Sequence, residues 1–259
     1  PVAIAMDERE GLLTQLGQVV EALRANFGAQ VSGNGEQLLL VDESGMPIRG
    51  EMLTALMVEM MLTAQPRSTV VVPVHTSSAV EQIAHRHDAR VIRTKANPTA
   101  LMEACDNNPN VILGGSGEMG FIFPQLHPGF DAMFCIAKLI EMQSLQERSI
   151  GQVRAELPRI YHRSCTVRCP WTAKGALMRY MVESHPATEV ELIDGVKVCD
   201  PQGDNWLLVL PDAGEPLVHV FANSSDRLWV DDTLREYRTR IQEFVERQQR
   251  GTDRFADEV

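Results

Sequence analysis

The chain has 259 residues and a net charge of −11 at pH 7, with 44% hydrophobic and 23% charged residues. This length can supply two compact domains with cores of their own, and the composition is ordinary for a globular protein. Because the negative charge would repel a nucleic-acid backbone and no apolar run approaches the roughly 20 residues that span a bilayer, we expect neither nucleic acid nor a membrane as a partner.

The lack of a signal-peptide pattern and the spacing of the cysteines both predict a reducing compartment. No signal-peptide pattern opens the sequence, so we expect a cytoplasmic protein. The five cysteines are an odd number without C-x-x-C spacing, and a zinc site would need further soft ligands nearby. The expectation is therefore buried, reduced thiols at Cys105, Cys135, Cys165, Cys169 and Cys199.

The beginning of the chain predicts one helix and one strand. Apolar residues recur at three- and four-residue spacing over 8–27, which is typical of an amphipathic helix, and Gly28 is a candidate stop signal. The run Leu38–Val41 predicts a buried strand, with Glu43-Ser44-Gly45 as its turn.

Between residues 46 and 150, short apolar runs alternate with helical patterns. The predicted helices cover 50–64, 77–87, 98–105 and 131–146, and the predicted strands cover 69–74, 89–94 and 111–114. This alternation is typical of a three-layer α/β/α domain with a mainly parallel sheet.

The pattern changes after a predicted linker at 147–157. Strands are predicted near 166–169, 189–193, 196–199, 206–210 and 217–222, and helices over 172–184 and 231–248. Successive strands with few helices indicate a smaller α+β domain, in which helices cover one face of an antiparallel sheet.

The stretch 111–131 carries the most specific motif of the chain. It reads Val-Ile-Leu-Gly-Gly-Ser-Gly-Glu-Met-Gly-Phe-Ile-Phe-Pro-Gln-Leu-His-Pro-Gly-Phe-Asp. This resembles a loop of the α-D-phosphohexomutases, the family of phosphomannomutase and phosphoglucomutase, which reads close to Gly-Gly-Glu-x-Ser-Gly-His-Ile-x-Phe-Pro and then His-x-Pro-x-x-Asp-Gly. The matching residues are Gly114, Gly115, Ile122, Phe123, Pro124, His127, Pro128 and Asp131.

The resemblance extends over nearly the whole chain but covers only the C-terminal half of the family. It implies that residues 1–45 are the remnant of a domain II, that residues 46–150 form a domain III, and that residues 151–259 form a domain IV. The family's phosphoserine nucleophile lies in a first domain that has no counterpart here. We therefore expect a fragment or processed piece of a longer polypeptide.

The first functional loop of the family binds Mg²⁺ through an Asp-Gly-Asp-x-Asp-Arg sequence just before a strand. In register, this loop falls on Ser32-Gly33-Asn34-Gly35-Glu36-Gln37. Only Glu36 keeps a carboxylate, while Ser32 and Asn34 offer neutral oxygens, and a small divalent cation prefers charged oxygen ligands. The interpretation is a degenerate metal loop, with no cofactor expected; a retained Mg²⁺ site is the alternative.

The second functional loop of the family orients sugar hydroxyls with Glu and Ser side chains. The loop keeps Gly115, but Ser116 replaces the glutamate, Glu118 replaces the serine and Gly120 replaces a histidine. Recognition of hydroxyls needs convergent polar groups, which favours a degenerate sugar loop that serves as a backbone turn. A shift of one or two residues would return Glu118 to sugar binding, and this alternative stays open.

The third functional loop of the family, Arg-Pro-Ser-Gly-Thr-Glu-Pro, grips the substrate phosphate. Here it reads Leu210-Pro211-Asp212-Ala213-Gly214-Glu215-Pro216. Leu210 replaces the arginine, and acidic or small residues, Asp212 and Gly214 among them, replace the hydroxyl side chains before Glu215. Asp212 places negative charge where a phosphate would sit, so the interpretation is a degenerate phosphate loop.

Together the three loops predict a phosphohexomutase-like region without catalytic residues. The resemblance implies a regulatory, structural or oligomerising part of a larger nucleotide-sugar biosynthesis protein, for example one fused behind a nucleotidyltransferase such as a mannose-1-phosphate guanylyltransferase. The alternative is part of an active phosphomannomutase or phosphoglucomutase that handles an unusual phosphosugar. The expected partners are a second copy or the missing N-terminal part, contacted through residues 1–45, with a phosphosugar as a candidate ligand.

Overall fold

The computed structural model describes residues 12–200 and 205–256, with side chains described within 14–200 and 205–249. The chain divides into two compact units, residues 1–158 and 159–259. No helix among the described residues is long and apolar enough to cross a membrane.

The first unit begins with helix α1 (Leu12–Leu23) and an antiparallel sheet of order β1-β2-β3. The strands are β1 (Phe27–Val31), β2 (Leu38–Asp42) and β3 (Pro47–Ile48). The prediction that Gly28 ends the helix is wrong, because Gly28 lies inside β1; positions 8–11 of that predicted helix fall outside the described residues.

Gly28 is required where α1 packs on this small sheet. A Cβ added at Gly28 would lie 2.6 Å from Val20 Cγ2 and 2.8 Å from Val41 Cγ2. Leu16 and Val20 of α1 are buried with Val41 of β2 in one cluster. The missing side chain therefore lets the helix approach the strands closely enough to close this core.

The second sheet of the first unit is mixed, with the order β5-β4-β6-β7-β8. Strands β4 (Thr69–Pro73), β5 (Arg90–Thr94) and β6 (Val111–Ser116) are parallel, as predicted. Strands β7 (Gly120–Phe123) and β8 (His127–Phe130) continue the sheet antiparallel, so the prediction of a mainly parallel sheet missed two strands.

Four helices cover this mixed sheet: α2 (Gly50–Ala64), α3 (Ala79–Arg86), α4 (Pro98–Asp106) and α5 (Ala132–Gln146). Leu101 and Cys105 of α4 pack against Val71 and Ile122. Helix α2 contacts β6, α3 and α5, and every residue from 53 to 62 is buried. The predicted three-layer α/β arrangement is confirmed.

The segment 147–157 is not an extended linker, because it contains helix α6 (Ile150–Glu156). Glu43 accepts hydrogen bonds from the hydroxyl of Ser149 and, at 3.0 Å, from the N–H of Gly151. Arg154 Nη1 lies 3.2 Å from Oδ2 of the buried Asp42. These contacts attach α6 to β2 and to the turn that follows it.

The second unit is an α+β domain with a five-stranded antiparallel sheet, as predicted, in the order β10-β11-β12-β13-β9. Its strands are β9 (Tyr161–Arg168), β10 (Val190–Glu191), β11 (Val196–Cys199), β12 (Trp206–Pro211) and β13 (Leu217–Ser224). Helices α7 (Trp171–Glu183) and α8 (Arg227–Ala256) cover one face, where Leu177 and Ile241 pack with Val209 and Val220.

Replacing Gly28 by alanine tests the close approach of α1 and β2. We expect Gly28→Ala to lower the free energy of unfolding by about 1–3 kcal/mol, because the new methyl group overpacks against two valine side chains. Chemical denaturation followed by circular dichroism measures this loss. Gly33→Ala is the matched control, since a Cβ there meets no heavy atom within 4 Å; equal losses for the two variants would contradict the account.

Candidate functional site

The residues of the predicted metal loop form a self-bonded turn between β1 and β2. Ser32 Oγ donates to Asn34 Oδ1 at 2.6 Å, and Asn34 Nδ2 donates to Glu36 Oε2 at 2.7 Å. Ser32 Oγ also accepts the N–H of Gln37 at 3.0 Å. A cation would have to displace these bonds and would gain a single carboxylate. Among the described residues, no group of three or more His, Cys, Asp or Glu side chains could hold a metal ion.

The predicted sugar loop is the β6–β7 hairpin, and its shape depends on two glycines. Gly115 has φ +109°, and a Cβ there would lie 2.1 Å from the carbonyl oxygen of Gly120. Gly120 has φ +105°, and a Cβ there would lie 2.3 Å from the carbonyl oxygen of Glu36. The position where the family carries a histidine therefore has no room for a side chain.

The polar residues of the β6–β7 hairpin have structural partners or face solvent. Ser116 is buried, and its hydroxyl accepts the N–H of Met119 at 3.3 Å. The carbonyl oxygen of Glu118 accepts the side-chain amide of Gln37 at 2.8 Å, which joins the first two loops. The Glu118 side chain is exposed, and an open groove beside it is lined by Gln37, Arg49 and Glu118.

The predicted phosphate loop is the β12–β13 hairpin of the second unit, and an aspartate of the loop occupies its anion-binding groups. Asp212 Oδ1 accepts the backbone N–H groups of Gly214 and Glu215 at 2.7 and 2.8 Å. Asp212 Oδ2 accepts His219 Nε2 at 2.8 Å. The hydrogen bond from His219, and then those from Gly214 and Glu215, lower the pKa of Asp212 to about 2. Successive N–H groups of this kind are an anion-binding nest, and here the anion is internal.

The lysine beside this hairpin is also engaged. Lys174 is buried, and its Nζ donates to the carbonyl oxygens of Asp212 and Glu215 at 2.6 and 2.5 Å. The same Nζ lies 3.7 Å from the ring centroid of Trp171. Leu210, at the position of the family's arginine, is buried at the end of β12. Lys174, the cation that could replace the family's arginine, is thus bound to the backbone of the hairpin.

Sequence reasoning missed His219 and Lys174, which reach the hairpin from β13 and α7. It also missed Glu51, a half-buried carboxyl in the first turn of α2 whose Oε2 accepts the N–H of Ser77 at 2.8 Å. His219 and Lys174 lie in no sequence motif, and Glu51 ends the run Ile-Arg-Gly-Glu at 48–51, to which the sequence gives no chemical role. Their roles depend on tertiary neighbours, so no local pattern marks them.

Sequence comparisons find similarity between this chain and the phosphohexomutases. Residues 49–161 match the family described as phosphoglucomutase/phosphomannomutase, alpha/beta/alpha domain III. A phosphoglucomutase/phosphomannomutase of Thermococcus kodakarensis is 28% identical over 222 residues, which are 85% of this chain and 47% of that protein. A probable phosphoglucosamine mutase of Methanosarcina acetivorans is 29% identical over 217 residues, 83% of this chain and 48% of that protein.

Solved structures give the same assignment of fold. A phosphoglucomutase/phosphomannomutase family protein from Burkholderia thailandensis superposes with a TM-score of 0.74 at 16% identity, covering 91% of this chain and 50% of that one. The N-acetylphosphoglucosamine mutase of Aspergillus fumigatus, in complex with GlcNAc-6P and magnesium, has a TM-score of 0.58 at 13% identity and covers 85% and 49%.

The fold and the glycine-shaped loops define a phosphohexomutase-like protein of two units. The resemblance drawn from the motifs is confirmed: the chain is similar to the α-D-phosphohexomutases over the C-terminal half of their length. The chain spans about half the length of the curated relatives it matches.

The Asp212 interactions predict an unusually acidic carboxyl group. Because the folded-state pKa of about 2 lies below the ordinary 3.8, the stability that this group contributes is present above pH 3.8 and is lost as the pH falls through about 2. The ¹³C shift of the Asp212 carboxyl carbon should titrate near pH 2, and His219→Ala should raise the midpoint. A wild-type midpoint at 3.8, or no change in His219→Ala, would contradict this description.

Proposed function

We propose that this chain is a catalytically degenerate phosphohexomutase-like region with a regulatory or oligomerising role in a larger, cytoplasmic nucleotide-sugar biosynthesis protein. The observation that carries the proposal is the Asp212 carboxylate, which occupies the two N–H groups of its own hairpin. An external phosphate would have to displace this carboxylate from the two N–H groups and would be repelled by its negative charge. Electrostatic stabilisation of the reacting phosphoryl group is a large part of phosphoryl-transfer catalysis, so such a loop would contribute little to turnover.

The first loop supports the same conclusion. A hydrogen-bonded set of one carboxylate, one amide and one hydroxyl is a poor match for Mg²⁺, which dehydrates reluctantly and prefers carboxylate oxygens. We propose that Mg²⁺ is not a cofactor of this chain. The close backbone contact at Gly115, a glycine that the family pattern shares, supports a role for the fold, because it preserves the shape of the loop after the ligand side chains have changed.

The parent protein is a further part of the proposal. A nucleotidyltransferase of the mannose-1-phosphate guanylyltransferase kind is the candidate to which the sequence resemblance leads. Reading the upstream sequence of the full polypeptide separates the candidates: a nucleotidyltransferase signature favours the fusion, and a phosphoserine loop favours a mutase.

A second candidate function is part of an active phosphohexomutase acting on an unusual phosphosugar. The exposed carboxylate of Glu118, beside Gln37 and Arg49 in an open groove, favours it, since these groups could bind sugar hydroxyls. Turnover of glucose 1-phosphate or mannose 1-phosphate by the pure chain above a buffer blank would support this candidate over a degenerate region.

Removing the internal anion tests the proposed function. Asp212→Ser leaves the N–H groups of Gly214 and Glu215 without their carboxylate, so we expect saturable shifts of these two amides on titration with inorganic phosphate. In the wild-type chain the same titration should leave them unchanged. NMR of the ¹⁵N-labelled chain measures both.

Asp232→Ser is the matched control for this titration. It removes one negative charge from the exposed surface of α8, where Asp232 pairs with Arg235, and should behave as wild type. If wild type binds phosphate at Gly214 and Glu215 as tightly as Asp212→Ser does, the loop is functional and the proposal is wrong.

We further propose that a second copy of the chain, or the preceding part of the parent, pairs with strand β1. Among the described strands, Leu38–Val41 lies in the central strand of its sheet, and the apolar face of α1 is packed on Val41. The edge of the sheet therefore belongs to Phe27–Val31. An unpaired strand edge is a template for a further strand, and a twofold contact would satisfy both copies.

A lysine on the β1 edge should block this association. We expect wild type to be a dimer by light scattering and Val31→Lys to be a monomer, because a charged side chain opposes strand pairing. Leu23→Lys is the control, since Leu23 is exposed on α1 and lies outside the edge. A monomeric wild type at high concentration would exclude the symmetric pairing and leave the upstream chain as the partner.

A further inference from the structure

The N-terminal end of α2 contains a carboxyl group that links two elements. Glu51 lies in the first turn of α2, and its Oε2 accepts the N–H of Ser77 at 2.8 Å. Ser77 is buried in the loop between β4 and α3. Glu51 therefore joins the start of one helix to the carboxyl end of a parallel strand, inside the first unit.

Arg93 of β5 fixes the same loop from the other side. Its Nη1 donates to the carbonyl oxygens of Val74 and Thr76 at 2.9 and 2.8 Å. Its Nε and Nη2 each donate to a different carboxylate oxygen of Glu81 on α3, at 2.8 and 2.9 Å. Glu81 forms two hydrogen bonds with the Arg93 guanidinium, so its carboxylate already balances most of that positive charge. Arg93 therefore stabilises an anionic Glu51 less than an unpaired arginine would.

Glu118, at the tip of the β6–β7 hairpin, brings a third carboxylate to this end of α2. Its Oε1 lies 3.9 Å from the point where a Cβ on Gly50 would be. The hairpin is held by two hydrogen bonds: the N–H of Gly117 donates to Thr54 Oγ1 at 2.9 Å, and Gln37 donates to the carbonyl oxygen of Glu118. When both Glu51 and Glu118 are anionic, their repulsion acts directly on this hairpin tip.

We propose that Glu51, together with Glu118, Glu81 and Arg93, forms a proton-linked latch that couples the ionisation of Glu51 to the position of the β6–β7 hairpin tip. When Glu51 is neutral, Glu118 can lie against the start of α2. When Glu51 is anionic, the N–H of Ser77 holds it in place, so the repulsion between the two carboxylates moves the exposed Glu118. The groove lined by Gln37, Arg49 and Glu118 then changes shape with pH.

The pKa of Glu51 supports a latch that responds near neutral pH. Burial is the largest effect and raises the pKa of Glu51 to about 7; the hydrogen bond from Ser77 and the charge of Arg93 lower it, and Glu118 and Glu81 raise it. Because this exceeds the ordinary 4.5, the stability contributed by the neutral carboxyl is fully present below pH 4.5 and is lost as the pH rises through about 7. Deprotonation of Glu51 near neutral pH thus opposes the arrangement in which Glu118 lies against the start of α2.

This latch is independent of whether the 210–216 hairpin binds phosphate. It lies within the first unit and uses none of the residues around Asp212. Failure of the latch would leave the proposed function intact, and phosphate binding by the wild-type hairpin would leave the latch intact.

The experiment follows the amides of Gly117, Glu118 and Met119 by NMR in the full chain between pH 5.5 and 8.5. In wild type they should titrate together with a midpoint near 7. In Glu51→Gln, which keeps an oxygen acceptor for Ser77 but cannot ionise, this titration should disappear. In Glu118→Gln the Glu51 midpoint should fall, because a repelling charge is gone. Glu103→Gln, an exposed site on α4, should behave as wild type.

Two results would overturn the latch. One is an amide titration at 117–119 that persists unchanged in Glu51→Gln. The other is read from wild type alone, in case that variant does not fold: a ¹³C titration of the Glu51 carboxyl carbon with a midpoint below pH 5.

Discussion

The Asp212 carboxylate accepts three hydrogen bonds, two from the backbone of its own hairpin and one from His219. Lys174 binds the carbonyl oxygens on the other side of the same turn. Internal side chains of both signs thus take up backbone donors and acceptors of this hairpin. Backbone N–H groups need an acceptor in any case, and an internal one needs no association from solution. The conformation of the hairpin therefore depends on the protein's own charges.

The first unit follows a different physical rule, in which close backbone approach determines the loops. Glycines at 28, 115 and 120 stand where a Cβ would collide with a neighbouring strand or carbonyl group. Such positions resist substitution even when the chemistry around them changes, because any side chain would push apart two packed segments. At Gly115, which the phosphohexomutase pattern shares, this accounts for a turn that keeps its glycine while the neighbouring polar residues differ from the pattern.

Sequence patterns predicted most of the elements because their periodicity is long or their apolar runs are continuous, as in α2 and β4. The missed strands have weak patterns: β1 contains Gly28, and β7 and β8 are short and rich in glycine or flanked by proline. Helix α6 was missed because it is short, although its capping box of Ser149 and Gln152 was a readable signal.

Side-chain roles at the candidate site were less predictable than the fold. Sequence alignment placed Asp212 in the phosphate loop and predicted repulsion, but the hydrogen bonds from the hairpin and from His219 depend on the register of β12 and β13. The environment of Glu51 depends on the packing of α2 against the loop after β4, where Glu51 accepts the N–H of Ser77. Groups whose chemistry is set by burial are visible only after the tertiary structure is formed.

In this phosphohexomutase-like chain, internal hydrogen bonds satisfy the polar groups of the 32–37 and 210–216 loops, and the 114–123 loop is shaped as a backbone turn. The most direct measurement is an NMR titration of the wild-type chain with mannose 1-phosphate in the presence of Mg²⁺, following the amides of 32–37, 114–123 and 210–216. We expect no saturable shift in any of the three segments at millimolar ligand. Saturable shifts in two or more of them, reversed by chelating the Mg²⁺, would contradict it.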